Sequence, residues 1–279
     1  SAQAFAAAIG GAEAITLAPH DTRTGESPES RRLVATGQYV LELESFLAFV
    51  EDPSEGSYAL EAWTESVARQ AWKRFQEIEE AGGIAAVLAD HSLWSQIRKA
   101  NAERDAAYAT RRLVRIGVND FALEETTQEV ERSIADFAPY LEGRAWEALR
   151  ARNGASRPKV FLANMGAIPR HKPRADFAGQ LFAAGGFEVV GNDGFSDAST
   201  LAEAFKASGA SGAVLCGHNE DYDALGAEFA AALAGADFLA IAGKFKDEDT
   251  WKAQGVKHFV YMGAPVLDVL SAISEVAHA

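Results

Sequence analysis

Cysteine is almost absent from this 279-residue chain, where Cys216 stands alone. An internal disulfide is excluded, and a reducing, cytoplasmic setting is expected. Basic residues are short as well, 26 Lys and Arg against 40 Asp and Glu, for a formal charge of −14. That balance opposes a nucleic-acid partner, which needs a basic face, but leaves room for an anionic small ligand held by a local cluster. No run of about 18 apolar residues is present, so no membrane span is expected. Ser1 to Ile9 lack the basic start and cleavage pattern of a secretory peptide. They read as the middle of a buried helix, as if the chain began inside a domain. The remaining composition, 48% hydrophobic and 24% charged, is that of a globular enzyme of one or two domains.

Residues 157–279 alternate short apolar runs with amphipathic stretches. Strands are predicted at Lys159–Ala163, Phe187–Val190, Gly212–Leu215, Phe238–Ile241 and His258–Tyr261. Helices are predicted at Ala175–Ala184, Ser199–Ala207, Tyr222–Leu233, Asp247–Ala253 and Ala264–Val276. Apolar runs without alternation suit strands buried on both faces of a parallel sheet. The pattern predicts a doubly wound α/β domain, with ligands at the carboxyl ends of its strands. The loops to inspect are therefore Asn164–Pro173, Cys216–Asp221 and Gly243–Lys246. Each lacks a complete motif. Met165 to Arg170 is not a Ser/Thr/Gly-rich phosphate loop, and Cys216 stands where a phosphoacceptor aspartate would be needed. No Gly-x-Gly-x-x-Gly follows a strand, so a dinucleotide cradle has no support.

Upstream, helices are expected at Gln3–Ile9, from Ser27-Pro28-Glu29 through Arg31–Val50, and at Thr64–Ala81, His91–Arg111 and Glu124–Ala151. Ala14–Leu17 reads as a buried strand, and Val114–Val118 as a short strand or extended leg. Asn153–Pro158 is the expected domain boundary, dividing residues 1–120, a helical linker over 121–156 and the domain at 157–279. The five tryptophans are read as packing residues on helical faces.

Leu162-Ala163-Asn164-Met165-Gly166, with Gly185-Gly186-Phe187-Glu188-Val189 after a helix, resembles the flavodoxin-like cobalamin-binding domain of methylmalonyl-CoA mutases. Earlier stretches resemble the late (β/α)₈ barrel of the same family. These are Ala8 to Glu13, Arg31 to Gln38, Asp52 to Tyr58, Gln76 to Gly83 and Ile116 to Asn119. The resemblance spans the chain but implies only the C-terminal portion of a mutase, without the first barrel strands. Catalytic members continue from Met-Gly into Asp-x-His-x-x-Gly, whose histidine ligates cobalt. Here the stretch is Ala167 to Pro173, with His171 one place out of register. The family's Ser-x-Leu is replaced by Cys216-Gly217-His218, and its Gly-Gly by Gly243-Lys244. In the barrel, Glu13 and Thr16 replace a Gln and a His of the catalytic pattern, and of an Asn-Thr-Gln only Gln38 is kept.

The resemblance thus implies a non-catalytic small subunit of an isomerase. The holoenzyme would interconvert succinyl-CoA and methylmalonyl-CoA with adenosylcobalamin, and a large catalytic subunit would be the partner. For this chain no catalytic, cofactor-binding or metal residue is expected, and residues 1–60, a piece of an open barrel, are expected either to pair with another chain, a second copy included, or to be poorly ordered. Two alternatives stay open: a cobalamin-binding domain with an altered loop, and a module that binds another anionic ligand through Arg170, Lys172 and Lys244.

Each candidate site has a plainer reading. His171, among Arg170, Lys172 and Arg174, reads as part of a solvated basic loop rather than a ligand, since a ligating histidine needs an orienting partner. Cys216 with His218 reads as a small buried thiol ending a strand, not a nucleophile or metal site. Asn219 to Asp223 and Asp247 to Asp249 have metal-ligand chemistry but stand where helices start, so capping is preferred. Glu13 would be a general acid or base only if desolvated.

Overall fold

The computed structural model describes residues 2–22, 25–122 and 140–278. They form two compact units, one up to Arg98 and one from Lys99 onward. The first unit contains α1 (Ala2–Ile9), α2 (Pro28–Tyr39), α3 (Tyr58–Glu80), α4 (Ile84–Ala89) and the start of α5 (Ser92–Ala109). Local chemistry sets several ends. Ser27 caps α2 by accepting from the Ser30 amide at 3.1 Å, with Pro28 in the first turn. Gly82 and Gly83, both at positive φ, stop α3.

Several expectations for this unit need correction. The helix expected to run to Val50 breaks at Tyr39 into a π turn, Val40–Glu44, and Phe46 then adopts a left-handed φ of 53°. Helix α3 starts at Tyr58 rather than Thr64, directly after the extended Ser57. Ala14–Leu17 forms no ladder, and no strand is found among the described residues of this unit. A parallel strand takes its hydrogen bonds from neighbours, and none lies beside it. Along α3, Leu60, Trp63, Val67 and Phe75 recur at helical spacing, yet all are exposed. Trp63 and Trp72, expected to pack, are 69% and 62% exposed. Among the described hydrophobic residues up to Arg98, Ala4 and Val87 are the buried ones.

The second unit holds the sheet. Val114–Val118 is not a strand; Gly117 closes a turn to the carbonyl of Asp120 at 2.7 Å. The helix expected from Glu124 lies outside the described residues over 124–139, and its last part is α6 (Arg144–Asn153). Strands β1 (Lys159–Asn164), β2 (Glu188–Val190), β3 (Gly212–Cys216), β4 (Phe238–Ala242) and β5 (His258–Val260) form one parallel sheet. Its order is β2-β1-β3-β4-β5. Helices α7 (Ile168–Ala184), α8 (Ala198–Ser208), α9 (Asn219–Ala232), α10 (Glu248–Ala253) and α11 (Val266–Ala277) complete the alternation.

Strand alternation sorts the core into two layers. Val160, Leu162, Val214 and Ala240 pack with Leu181, Phe182, Leu270 and Trp146. Phe161, Ala163, Ala213 and Ile241 pack with Leu201, Tyr222 and Phe229 on the other face. Glycine matters at Gly212, where a Cβ would sit 2.3 Å from the Phe238 ring. Buried Asn153, at the end of α6, donates to the Gly185 carbonyl after α7 at 2.8 Å and accepts from Ser274 of α11 at 2.5 Å.

Candidate functional site

In this strand order the chain runs from β1 to one side and from β3 to the other, so the switch point lies between them. The two loops meet closely there. The Met165 amide bonds the Cys216 carbonyl at 2.8 Å, and a Cβ on Gly217 would lie 3.1 Å from the Met165 sulfur. A ligand would have to enter this crevice.

Two arginines from α7 span it. The Nε of Arg170 donates to both carboxylate oxygens of Asp221, at 2.9 and 2.8 Å, and its Nη2 to Glu220 at 3.0 Å. Arg174 donates to the Gly217 carbonyl at 2.7 Å and the Asn219 side chain at 2.5 Å. Its guanidinium lies 4.9 Å over the ring of Tyr222. The hydrogen bond from Arg170 holds the Asp221 carboxyl below its ordinary pKa, against partial desolvation. The same bonds raise the Arg170 pKa.

These arginines reach the crevice because α7 starts earlier than expected. The helix begins at Ile168, not Ala175, with Pro169 in its first turn and Pro173 inside. His171 is therefore not on a solvated loop. It is 3% exposed, and its Nδ1 donates to the Gly166 carbonyl at 3.1 Å. Gly194 packs against the ring, a Cβ there lying 2.7 Å from Cε1.

The acids after β3 are helix-start residues. His218 and Asp221 form a reciprocal cap on α9, and Asp247 caps α10 by accepting from Thr250. Cys216 is fully buried, and desolvation raises its pKa. Tyr222 is also buried, its pKa raised chiefly by desolvation, and its hydroxyl lies 3.0 Å from the Leu215 carbonyl and 2.8 Å from that of Ala242. Lys172 pairs with Asp176 at 3.0 Å, and Lys244 sits over Tyr261 at 5.8 Å. Arg170, Lys172 and Lys244 thus have separate partners rather than a common focus. Glu13 is exposed and on no strand. No group of three or more His, Cys, Asp or Glu is placed to hold a metal among the described residues.

The residues do not fit cobalamin in the manner of the catalytic pattern. That pattern places its histidine on a loop, whereas the His171 imidazole is buried on α7 and bonded to the Gly166 carbonyl. Sequence reasoning missed Arg174 and Tyr222. The signal was the Arg170-x-x-x-Arg174 spacing, which places both cations on one helical face.

Fold and site together define an α/β protein with a parallel five-stranded, doubly wound domain whose switch-point crevice is braced by its own side chains. The family model for methylmalonyl-CoA mutase matches residues 1–167, and the chain belongs to that family. It is 38% identical over 283 residues to a methylmalonyl-CoA mutase small subunit of Streptomyces virginiae, covering 95% of this chain and 44% of that one. The small subunit of Propionibacterium freudenreichii subsp. shermanii is 33% identical over 288 residues, 98% of this chain and 45% of the relative. A mitochondrial methylmalonyl-CoA mutase of Mus musculus matches at 32% over 124 residues, 44% of this chain and 17% of its own. The chain thus spans slightly under half the length of the small subunits it resembles. No helix among the described residues is long and apolar enough to cross a membrane.

Proposed function

We propose that this chain is the C-terminal portion of a mutase small subunit, structural in role, beside a large subunit that carries the chemistry. Residues 1–120 would supply late elements of a (β/α)₈ barrel, 121–156 a linker, and 157–279 a cobalamin-type domain without cobalamin. The holoenzyme would interconvert succinyl-CoA and methylmalonyl-CoA with adenosylcobalamin in the partner. No residue of this chain would touch the reacting atoms. The observation that carries the reading is the brace at the switch point, with Arg170 on Asp221 and Arg174 on the Gly217 carbonyl. Buried His171, bonded to Gly166, supports it. So do the names of the similar small subunits.

The test has two arms. Cobalamin titrated into the 279-residue chain should give no His-ligated absorbance change. A change lost in His171→Ala would overturn the reading. In the full-length complex, alanine at Glu13, Thr16 and His171 together should leave the turnover number within about ten-fold, because removed catalytic groups cost far more. A loss of several orders of magnitude with the complex intact by sedimentation would place chemistry in this chain.

A further inference from the structure

Asn153-Gly154 is the one Asn-Gly pair of the sequence, and it stands where α6 ends and the chain turns toward β1. An asparagine before glycine is chemically labile, because no side chain hinders the following amide nitrogen on its way to the asparagine Cγ. The fold still needs both residues. Gly154 has φ 51° and ψ −143°, a backbone region that strains any side chain, although a Cβ there would meet nothing within 4 Å. Asn153 is fully buried. The Gly185 carbonyl can only accept, so Nδ2 faces it, at 2.8 Å. Oδ1 then accepts from Ser274 at 2.5 Å and from His278 at 3.2 Å. One side-chain amide thus joins the ends of α6, α7 and α11.

The same geometry keeps the labile pair from reacting. Asn153 is helical, at φ −66° and ψ −29°, and the Gly154 amide donates to the Arg150 carbonyl. Attack on Cγ needs ψ of Asn153 to leave the helical range, the Gly154 nitrogen to be free and the side chain to lose three partners. None of this happens while Trp146 and Leu149 seat α6 in the core.

We propose that Asn153 is a deamidation site that the seated α6 keeps closed and that opening of α6 exposes. The Gly154 nitrogen bonds to Cγ of Asn153, the Cγ–Nδ2 bond breaks, and ammonia leaves with the proton that the nitrogen gave up. Water then opens the five-membered imide at either carbonyl, giving aspartate or isoaspartate. Aspartate sets an oxygen against the Gly185 carbonyl where Nδ2 stood, and isoaspartate adds a methylene to the main chain. Neither rebuilds the junction, since a buried acceptor without a donor is costly. An opening that lasts long enough therefore becomes permanent. The site needs neither cobalamin nor a partner subunit, so it stands apart from the mutase reading.

The test holds the 279-residue chain at mildly alkaline pH, in buffer and in guanidinium chloride, and locates the conversion by peptide mapping with mass spectrometry. Asn153 should convert at least about 100-fold more slowly in buffer, because only the open fraction reacts. In guanidinium, where folding plays no part, Gly154→Ala should slow conversion about ten-fold or more by crowding the attacking nitrogen. Asn153→Asp, which is the product itself, should unfold at a lower guanidinium concentration than the parent chain. Equal conversion in buffer and guanidinium, conversion unaffected by Gly154→Ala, or an unchanged midpoint in Asn153→Asp would each overturn the proposal.

Discussion

The Arg174 guanidinium lies over Tyr222, 4.9 Å from the ring centroid, while the tyrosine hydroxyl reaches between the carboxyl ends of β3 and β4. A cation on one side and two backbone carbonyls on the other fix the ring where a doubly wound sheet would ordinarily admit a ligand.

That arrangement makes the tyrosine hydroxyl a stabilising group. Tyr222→Phe keeps the ring but leaves the carbonyls of Leu215 and Ala242 without this donor in a buried site. The expected loss is about 1–2 kcal/mol in urea unfolding. An unchanged midpoint would mean that water replaces the hydroxyl.

Gly226 on α9 faces Trp251, and a Cβ there would sit 2.4 Å from the indole Cη2. Gly226→Ala should therefore destabilise by about 1–3 kcal/mol, despite alanine's better helix propensity. Thermal melting followed by tryptophan fluorescence reads this directly.

Two groups lose their stabilisation on the acid side, in separate pH windows. Asp221 titrates below its ordinary value in the folded chain because Arg170 bonds its carboxylate. Its stabilisation is present above the unfolded pKa of about 4 and is lost as pH falls through the folded value. Asp221→Asn should flatten that acid loss.

His258 on β5 has its pKa lowered, first by burial and then by Lys257. The folded state resists protonation, so stability is full above about pH 6.5 and falls as pH drops toward the folded value. Urea midpoints between about pH 7 and 5 should slope downward, and His258→Gln should remove that part of the slope.

The apolar stripe on α3 predicts association. Trp63 and Trp72 are largely exposed, and stripes of this kind mark contact surfaces. The 279-residue chain should sediment above its monomer mass at micromolar concentrations, and Trp63→Ser with Trp72→Ser should shift it toward monomer. A monomeric parent chain would count against this.

The sheet was legible because each central strand is an uninterrupted apolar run bounded by glycine or polar residues, as in Gly212 to Cys216. The strand expected at Ala14–Leu17 does not form, since a four-residue apolar run records hydrophobicity but not whether a neighbour exists to pair with it. The loop after β1 misled for a different reason. Pro169 and Pro173 fall in the stretch expected as a loop, Asn164–Pro173, yet one lies in the first turn of α7 and the other is carried inside the helix. That shift moved His171 from solvent to the interior and brought Arg170 and Arg174 over the crevice. The absence of a phosphate motif was visible; the cross-brace was not, because its acceptors lie far along the chain.

That separation has a kinetic consequence. Arg170 and Asp221 are 51 residues apart, with β2, α8 and β3 formed between them. The pair can close only after β3 has been laid beside β1, so its loop-closure entropy is lost before any bond is gained. Such contacts belong to the late side of the folding barrier. Arg170→Ala should leave the refolding rate nearly unchanged and appear as faster unfolding, the signature of a clasp that sets how long the folded domain lasts rather than how it is reached.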